Sequence, residues 1–424
     1  MAREYKDSGI EWIGQIPKEW EVGNIKHYCN SIFAGGTPQS NNEEYWDGDI
    51  PWIPSGSCKN NFIFSAPKFI TQAGLENSST KLIPSGTTVM AMTGATCSNV
   101  GYVLFDTCMN QSVVAYLEKK DTTSSKFLFY LLQGAQEEIL THKTGGAQSG
   151  INVDDCKNII VPFLSLSEQQ KIADYLDKIC GEVDEMVTLQ ETMIEELKAY
   201  KQSVITEAVT KGLNPNVPMK DSGIDWIGEI PEHWEVCRFK DIASVKANLV
   251  HPDDYMDFPQ IAPDNIEKAS GRLLPYKSVK ESNVISDNHL FFKGQIIYSK
   301  IRPVLNKLII APFDGLCSAD MYPIETTNDI NYQKYYMLSD AFVRQVALVV
   351  QDRVKMPKIN QNELSIIYVL SLPLSEQRSI ASYLDTKCTE IDSLIALKQQ
   401  KIEELKDYKK SVIYEYVTGK KEVC

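Results

Sequence analysis

The chain has 424 residues, 43% hydrophobic and 23% charged, with a formal net charge of -13. At roughly 100 to 200 residues per domain it holds two to four domains with proper cores, which excludes a disordered or fibrous polymer. The acidity excludes a protein that coats nucleic acid over its whole surface. One window reverses the sign: from Lys268 to Lys307, eight basic residues (Lys268, Arg272, Lys277, Lys280, Lys293, Lys300, Arg302, Lys307) oppose only Glu281 and Asp287. No run of 18 apolar residues occurs, and the opening Met1-Ala2-Arg3-Glu4-Tyr5-Lys6-Asp7 is too polar for a secretory signal. A soluble, cytoplasmic protein without membrane contact is expected. The cysteines form no Cys-x-x-Cys pair and the five histidines no metal box, so reduced structural thiols and no bound metal are expected.

In chain order, the first recognisable phrase is Lys6-Asp7-Ser8-Gly9-Ile10-Glu11-Trp12-Ile13-Gly14 through Trp20-Glu21-Val22. It returns as Lys220-Asp221-Ser222-Gly223-Ile224-Asp225-Trp226-Ile227-Gly228 through Trp234-Glu235-Val236. Gly35-Gly36-Thr37-Pro38 reads as a loop, either a tight turn or a phosphate cradle. Thr88 to Met92, Tyr102 to Phe105 and Ser112 to Tyr116 read as strands. Lys126 to Leu132, continuing to Leu140, reads as a helix, and Gly145-Gly146 as a loop. The unit is therefore mixed α/β.

A long helix follows. From a start at Ser167-Glu168-Gln169-Gln170, apolar residues recur at 4,3 spacing: Ile172, Leu176, Ile179, Val183, Met186, Met193, Leu197, Tyr200 and Val204, with only Gln190 breaking the stripe. Gly212 and Pro215 end it. The phrase Leu166-Ser167-Glu168-Gln169 then recurs as Leu374-Ser375-Glu376-Gln377, and the second helix keeps Ile380, Leu384, Ile391, Leu394, Leu405, Tyr408 and Val412 in its stripe but puts Lys387, Lys398 and Lys401 in the seam, so that Ile395 and Ile402 take over. The same 208-residue offset relates Gly86 to Gly294, Phe105-Asp106 to Phe313-Asp314 and Ile151-Asn152 to Ile359-Asn360.

The chain is thus one fold written twice. Residues 1–165 and 213–373 are expected to be two similar mixed α/β domains, and 166–212 and 374–421 two long helices. Helices of ~43 residues, ~65 Å long, are most simply satisfied by pairing with each other. Antiparallel pairing would set the globular repeats at opposite ends of a rod about a pseudo-twofold axis, and bring both chain ends near the start of the first helix.

This arrangement resembles the DNA-specificity subunit of type I restriction-modification enzymes over nearly the whole chain. The resemblance rests on the Ser8 to Trp20 leader, on Gly35-Gly36-Thr37-Pro38 with Glu44-Tyr45-Trp46-x-Gly48-Asp49-Ile50-Pro51-Trp52, and on the Leu-Ser-Glu-Gln helix starts. It rests also on Gly294-x-x-x-Tyr298-Ser299-Lys300-Ile301-Arg302-Pro303-x-Leu305-x-Lys307. It implies two target-recognition domains, each reading one half of a bipartite double-stranded DNA sequence. It further implies a helical spacer that docks two methyltransferase subunits, with motor-nuclease subunits joining in the full complex. Half-sites about one helical turn apart would suit such a ruler.

Within that frame the polar chemistry differs between copies, as two different half-sites require. Candidate DNA contacts in the second domain are Lys277, Lys280, Lys293, Ser299, Lys300, Arg302, Asn306, Lys307, Arg353 and Lys355. In the first they are Lys59, Asn60, Thr93, Asn99, Lys143, Gln148 and Ser149, chosen because they occupy equivalent polar loops. Each could equally be an ordinary solvated residue.

Catalysis by the chain itself is not expected. No Asn/Asp-Pro-Pro-aromatic tetrapeptide and no P-loop occurs, and Asp106 with Glu118-x-Lys120 fits a metal nuclease only loosely. S-adenosylmethionine, ATP and magnesium are assigned to partner subunits. The rival reading is a non-catalytic coiled-coil scaffold whose globular domains bind peptides.

Overall fold

The computed structural model describes residues 3–144, 149–353 and 355–423. The chain divides into two compact units, Met1–Gln190 with Gln400–Cys424, and Glu191–Gln399. The division cuts both long helices, Leu166–Lys211 and Leu374–Val417, near their middles. Each unit therefore holds one globular repeat, half of its own helix and half of the other.

In the first unit, strands run in the order Cys29–Ala34, Val113–Glu118, Thr88–Ala91, Val100–Val103, with Asn61–Ile63 parallel on the edge. The second repeats the four-strand order with Ala243–Val245, Met321–Thr326, Ile296–Ser299, Leu308–Ile310. The central Val-Val-Ala-Tyr stretch of Val113–Glu118 is wholly buried, which suits β-branched and aromatic side chains between two packed layers. A second sheet in each unit contains the same parallel pairing, Cys108–Met109 on Trp46–Ile53 and Gly315–Cys317 on Pro259–Ile261. The copies part company around these strands. The second unit adds Asn288–Phe291 and Leu249–Val250 to make five strands where the first has three.

The helix expected from Lys126 to Leu140 is two helices, Ser125–Gly134 and Gln136–Thr141, broken at Ala135. Gly35 and Gly36 are no phosphate cradle. Their N–H groups already donate to Val113 and Met109 carbonyls, at 3.1 and 2.9 Å. A Cβ on Gly35 would stand 2.0 Å from the Met109 carbonyl oxygen, so these glycines exist for close backbone packing.

The long helix Leu166–Lys211 is capped by Ser165 and not by Ser167, the Ser165 hydroxyl accepting the Glu168 N–H at 3.3 Å. This frees the repeated Glu-Gln for tertiary contacts. Glu168 accepts the indole N–H of buried Trp20 at 3.0 Å, and Glu376 that of Trp234 at 2.9 Å. Gln169 is fully buried, accepting from Ser124 N and donating to the Thr122 and Leu164 carbonyls. Gln377 does the same with Asp329 N, Leu372 O and Asn328 Oδ1. One polar dipeptide thus fastens each helix to its globular repeat, and burial makes these bonds costly to lose.

The helices pack together, antiparallel within each unit. In the first, Ile172, Ala173, Leu176 and Cys180 share a core with Val412, Ile413, Tyr416 and Val417. In the second, Ile380, Ala381, Leu384 and Cys388 share one with Val204, Ile205, Ala208 and Val209. Every member of the first set maps onto the second by 208 residues. Polar pairs follow the same rule: Lys409 Nζ lies 2.7 Å from Asp184, and Lys201 Nζ 2.7 Å from its equivalent, Asp392.

The buried seam departs from the strict 4,3 stripe. Ile172, Leu176, Val183, Val204, Ile380, Leu384, Ile391, Leu405 and Val412 are buried, and Ile179, Met193 and Leu197 half-buried. Met186, Tyr200, Leu394 and Tyr408 are instead exposed, Ile402 is buried as expected, and Cys180, Ile194 and Cys388 are buried in addition. The spacing from Ile172 is 4, 4, 3, through Leu176, Cys180 and Val183. That step is nearer the 3.6 residues of an uncoiled helix; Val183 and Val204 stay in the seam while Met186 and Tyr200 leave it. In the first unit the chain ends do lie at the start of the first helix, where Arg3 pairs with Glu168 and a pocket is lined by Arg3, Ser165, Lys171 and Lys421.

Candidate nucleic-acid interface

After the strand Thr88–Ala91, and after its counterpart Ile296–Ser299, the chain makes the same eight-residue loop. In the first unit Ile151 N donates to Met92 O, Gly94 N to Ser149 O, and Ala91 N to Asn99 O, at 2.9, 3.2 and 2.9 Å. In the second, Ile359 N donates to Lys300 O, Arg302 N to Pro357 O, and Ser299 N to Lys307 O, at 3.0, 2.7 and 2.9 Å. The bridge Thr93↔Gly150 becomes Ile301↔Lys358. Two residues per loop are left-handed, Gly94 and Ser98 (φ +69° and +72°) and their equivalents Arg302 and Asn306 (φ +43° and +45°). Every one of these matches falls at the offset of 208. The backbone frame is common and the side chains on it are not.

The structure gathers most of the first domain's candidates around this loop. Thr93 and Asn99 are part of it, and Ser149 crosses beneath it. Lys59 and Asn60 adjoin it, because Asn99 Nδ2 donates to Cys58 O at 3.3 Å and Asn60 N to Val100 O at 2.8 Å. Lys143 is near enough to act electrostatically on the Cys97 thiol, whose pKa burial raises and Lys143 lowers. Asn60 itself is committed: it is left-handed, and its Oδ1 accepts from Val100 N and Gln136 Nε2. Gln148, like the Gly145-Gly146 loop, lies outside the described residues.

In the second domain Lys300, Arg302 and Lys307 are on the loop, with Arg353 and Lys355 on the segment crossing it. Ser299 and Asn306 are buried instead of facing solvent, because they hold the loop's shape: Ser299 Oγ donates to Ile301 O and Asn306 Nδ2 to Met337 O. Lys293 sits at the opposite end of the strand Ile296–Ser299 from Lys300. There its N–H donates to Asp314 at 2.7 Å, just as Ser85 N donates to Asp106 at 2.8 Å. Lys277 and Lys280 are exposed on and beside the outer strand Lys277–Ser278 of the five-stranded sheet.

Most cations of this loop are partnered. Lys300 and Lys358 share Asp320, at 3.9 and 2.9 Å; Lys307 donates to Pro263 O at 2.7 Å beside Asp264; Arg353 pairs with Glu363. Behind Lys300 stands His289, 5% exposed, with its Nδ1 unbonded. Burial chiefly, and the Lys300 charge secondarily, hold its pKa below the usual histidine value.

The Asp106 and Glu118 carboxylates each accept a backbone N–H, from Ser85 and Ser125, and no group of three metal-ligating side chains occurs among the described residues. Burial pushes the thiols of Cys29, Cys58 and Cys156 up to about 12, which disfavours the thiolate form. No helix among the described residues is long and apolar enough to cross a membrane.

The polar seam pairs Asp184–Lys409 and Asp392–Lys201 escaped the reading by periodicity, which counts apolar residues only. The signal was available, since both positions are identical in the two copies.

A fold duplicated in this way, with one loop frame carrying two sets of side chains, defines a tandem recognition protein. Residues 17–199 and 231–407 each match the type I restriction modification DNA specificity domain, and the chain belongs to that family. Among curated relatives it is 34% identical over 294 residues to the type I restriction enzyme EcoDI specificity subunit of Escherichia coli, a match covering 64% of this chain and 66% of the relative. It is 25% identical over 428 residues to the MjaVIII specificity subunit of Methanocaldococcus jannaschii, covering 96% and 94%. A solved structure from work on complex assembly and conformational transition of the type I R-M system superposes with a TM-score of 0.71, at 15% identity, over 95% of this chain and 98% of that one. That likeness speaks to the fold.

Proposed function

We propose that this chain is the non-catalytic, cytoplasmic sequence-reading subunit of a type I restriction-modification enzyme. Each unit reads one half of a bipartite duplex target, and the paired helices set the gap. The observation that carries this reading is the eight-residue loop, whose hydrogen bonds recur in both copies while its exposed side chains change. A fixed scaffold with variable polar contacts is what two unlike half-sites demand.

The partners follow from what each unit leaves exposed. Met186, Leu189 and Tyr408 of the first unit are all more than half exposed, and their equivalents Leu394, Leu397 and Tyr200 repeat them in the second. Two equal apolar sets suit two copies of one partner. We assign them to methyltransferase subunits, which would carry S-adenosylmethionine, while motor-nuclease subunits would use ATP and magnesium.

The test is the pattern of methylated bases in a host carrying the chain. A two-part motif with a fixed unread gap is expected, and a single continuous word would overturn the reading. Removing one heptad from both helices shortens each by ~10.5 Å, so the gap should change by roughly three base pairs.

A further inference from the structure

The shared loop of the second unit is tied to a different neighbour at each end. Near its start Arg302 N donates to Pro357 O of the crossing segment at 2.7 Å, and near its finish Asn306 O accepts from Ala269 N at 3.2 Å. Ala269 belongs to a hairpin without a counterpart in the described residues of the first unit. There the chain leaves the short turn Ser55–Ser57 and runs on into the edge strand Asn61–Ile63. In the second unit it leaves the equivalent turn, Pro263–Asn265, and doubles back: Ile266 bridges Leu273, and Glu267 N donates to Arg272 O at 3.0 Å. Left-handed Ala269 and Gly271 (φ +51° and +72°) close the tip. The tip lies against the helix Ile330–Leu338, since a Cβ on Gly271 would stand 3.4 Å from Leu338 and 3.7 Å from Lys334. The hairpin is thereby fixed relative to the loop.

Each neighbour holds one free cation. On the hairpin Arg272 is paired with Glu267 at 2.9 Å, whereas Lys268 is exposed and faces no carboxylate among the described residues. On the crossing segment Arg353 is paired with Glu363 and Lys358 with Asp320, whereas Lys355 is exposed and likewise unpaired among the described residues. The lysines of the loop itself, Lys300 and Lys307, face Asp320 and Asp264. Arg302 lies in the phrase shared with the family and belongs to the common frame. Two free ammonium groups therefore flank the loop, one beyond each end. At the same places, 208 residues earlier, the first unit has Asn60 and Ala147. Asn60 spends its Oδ1 on Val100 N and Gln136 Nε2, and Ala147, outside the described residues, carries no charge.

Resting on the DNA-reading role proposed above, we infer that Lys268 and Lys355 clamp two backbone phosphates of the duplex, one on either side of the bases that the loop faces. A lysine ammonium is a point charge with three rotatable donors, which grips a phosphate without demanding one geometry. Such contacts fix register and orientation on the duplex and carry no sequence information. In a chain of net charge -13, unpaired cations at chosen points are what draws a polyanion to one face. The hairpin and the crossing segment set where the two charges stand, and the loop between them is left to read. The first unit, with Asn60 and Ala147, has no such clamp.

The experiment uses the full chain purified with the methyltransferase that accompanies it. A duplex library randomised over several helical turns gives the motif, and binding to the preferred sequence is then followed through a salt series for the parent, Lys268→Ala, Lys355→Ala, the double variant and Lys268→Arg. Failure of the parent to enrich any bipartite motif overturns the DNA-reading role and this inference together. Otherwise each alanine variant should keep the parent's motif, bind more weakly at low salt, and make the slope of log K against log salt shallower by about 0.9, and the double variant by about 1.8. Lys268→Arg should keep the parent's slope. Ethylating the phosphates one at a time locates the loss: each alanine variant should become indifferent to one phosphate that the parent requires, and both phosphates should flank the same half of the motif. Three results overturn the inference while leaving the role standing: unchanged slopes; a changed base preference, which marks a reader instead of a clamp; or lost phosphates that flank different halves of the motif.

Discussion

The carboxylate of Asp184 and the ammonium of Lys409 are 2.7 Å apart across the two long helices, and the pair recurs with its members exchanged between helices as Lys201 and Asp392. Both lysines keep less than a fifth of their side-chain surface in water, so each bridge is screened less than an exposed one. Asp184→Lys is expected to destabilise the chain by ~1 kcal/mol, and Asp184→Lys with Lys409→Asp to recover most of it. A double-mutant cycle in denaturant measures this, and the second bridge should return a similar coupling.

Gln169 forms three hydrogen bonds with no access to water. Gln169→Leu keeps the volume but strands the Ser124 N–H and two carbonyls, for a cost of ~2 to 4 kcal/mol. Gln377→Leu should cost a comparable amount, whereas Gln170→Leu, one residue on and exposed, should change stability by less than ~0.5 kcal/mol. Thermal unfolding of the three variants tests the contrast.

Gly419 closes the second helix at φ +71°, and a Cβ there would stand 2.5 Å from Pro17 and 2.8 Å from Trp20. Gly94 has a similar φ but open space around it. Gly94→Ala should cost only the left-handed penalty of ~1 to 2 kcal/mol, and Gly419→Ala distinctly more. Equal losses would mean that the Pro17 and Trp20 contact yields without strain.

His289 gives the second unit a pH response. Its pKa is depressed on folding, so below about 6.5 the unfolded chain takes up a proton that the folded one resists. Stability contributed by the neutral ring is present above the unfolded value and declines as pH falls toward the folded one. Melting curves between pH 7.5 and 5.5 should fall less steeply for His289→Gln than for the parent.

Tyr200 and Tyr408 are each more than half exposed on the helices. Tyr200→Ser with Tyr408→Ser should leave the melting temperature within a degree or two, yet reduce the amount of methyltransferase that co-purifies with the chain. An unaltered yield of partner would place the docking face elsewhere.

The duplication, the mixed α/β class and the two helices were legible because repetition and apolar periodicity are local properties of the chain. The seam was only partly so. A stripe read at 3.5 residues loses phase when one 4,4,3 step intervenes, and Met186, Tyr200, Leu394 and Tyr408 then point outward. The loop candidates were legible as positions, through the 208-residue register, but not as orientations. Ser299, Asn306 and Asn60 look like free polar groups until the carbonyls and amides they bind come into view. Lys293 looked equivalent to Lys300 because only the fold puts a whole strand between them.

The fastening of helix to globular repeat has an evolutionary corollary. The polar fastening asks little of each repeat: an indole for the glutamate, at Trp20 with Glu168 and at Trp234 with Glu376, and a few groups for the glutamine, all main-chain in the first copy and joined by the Asn328 side chain in the second. A recombination event that replaced the whole stretch between a leader and its helix would meet the same sockets. Under the reading proposed above, such an exchange would alter the recognised sequence and leave the helix pair unchanged.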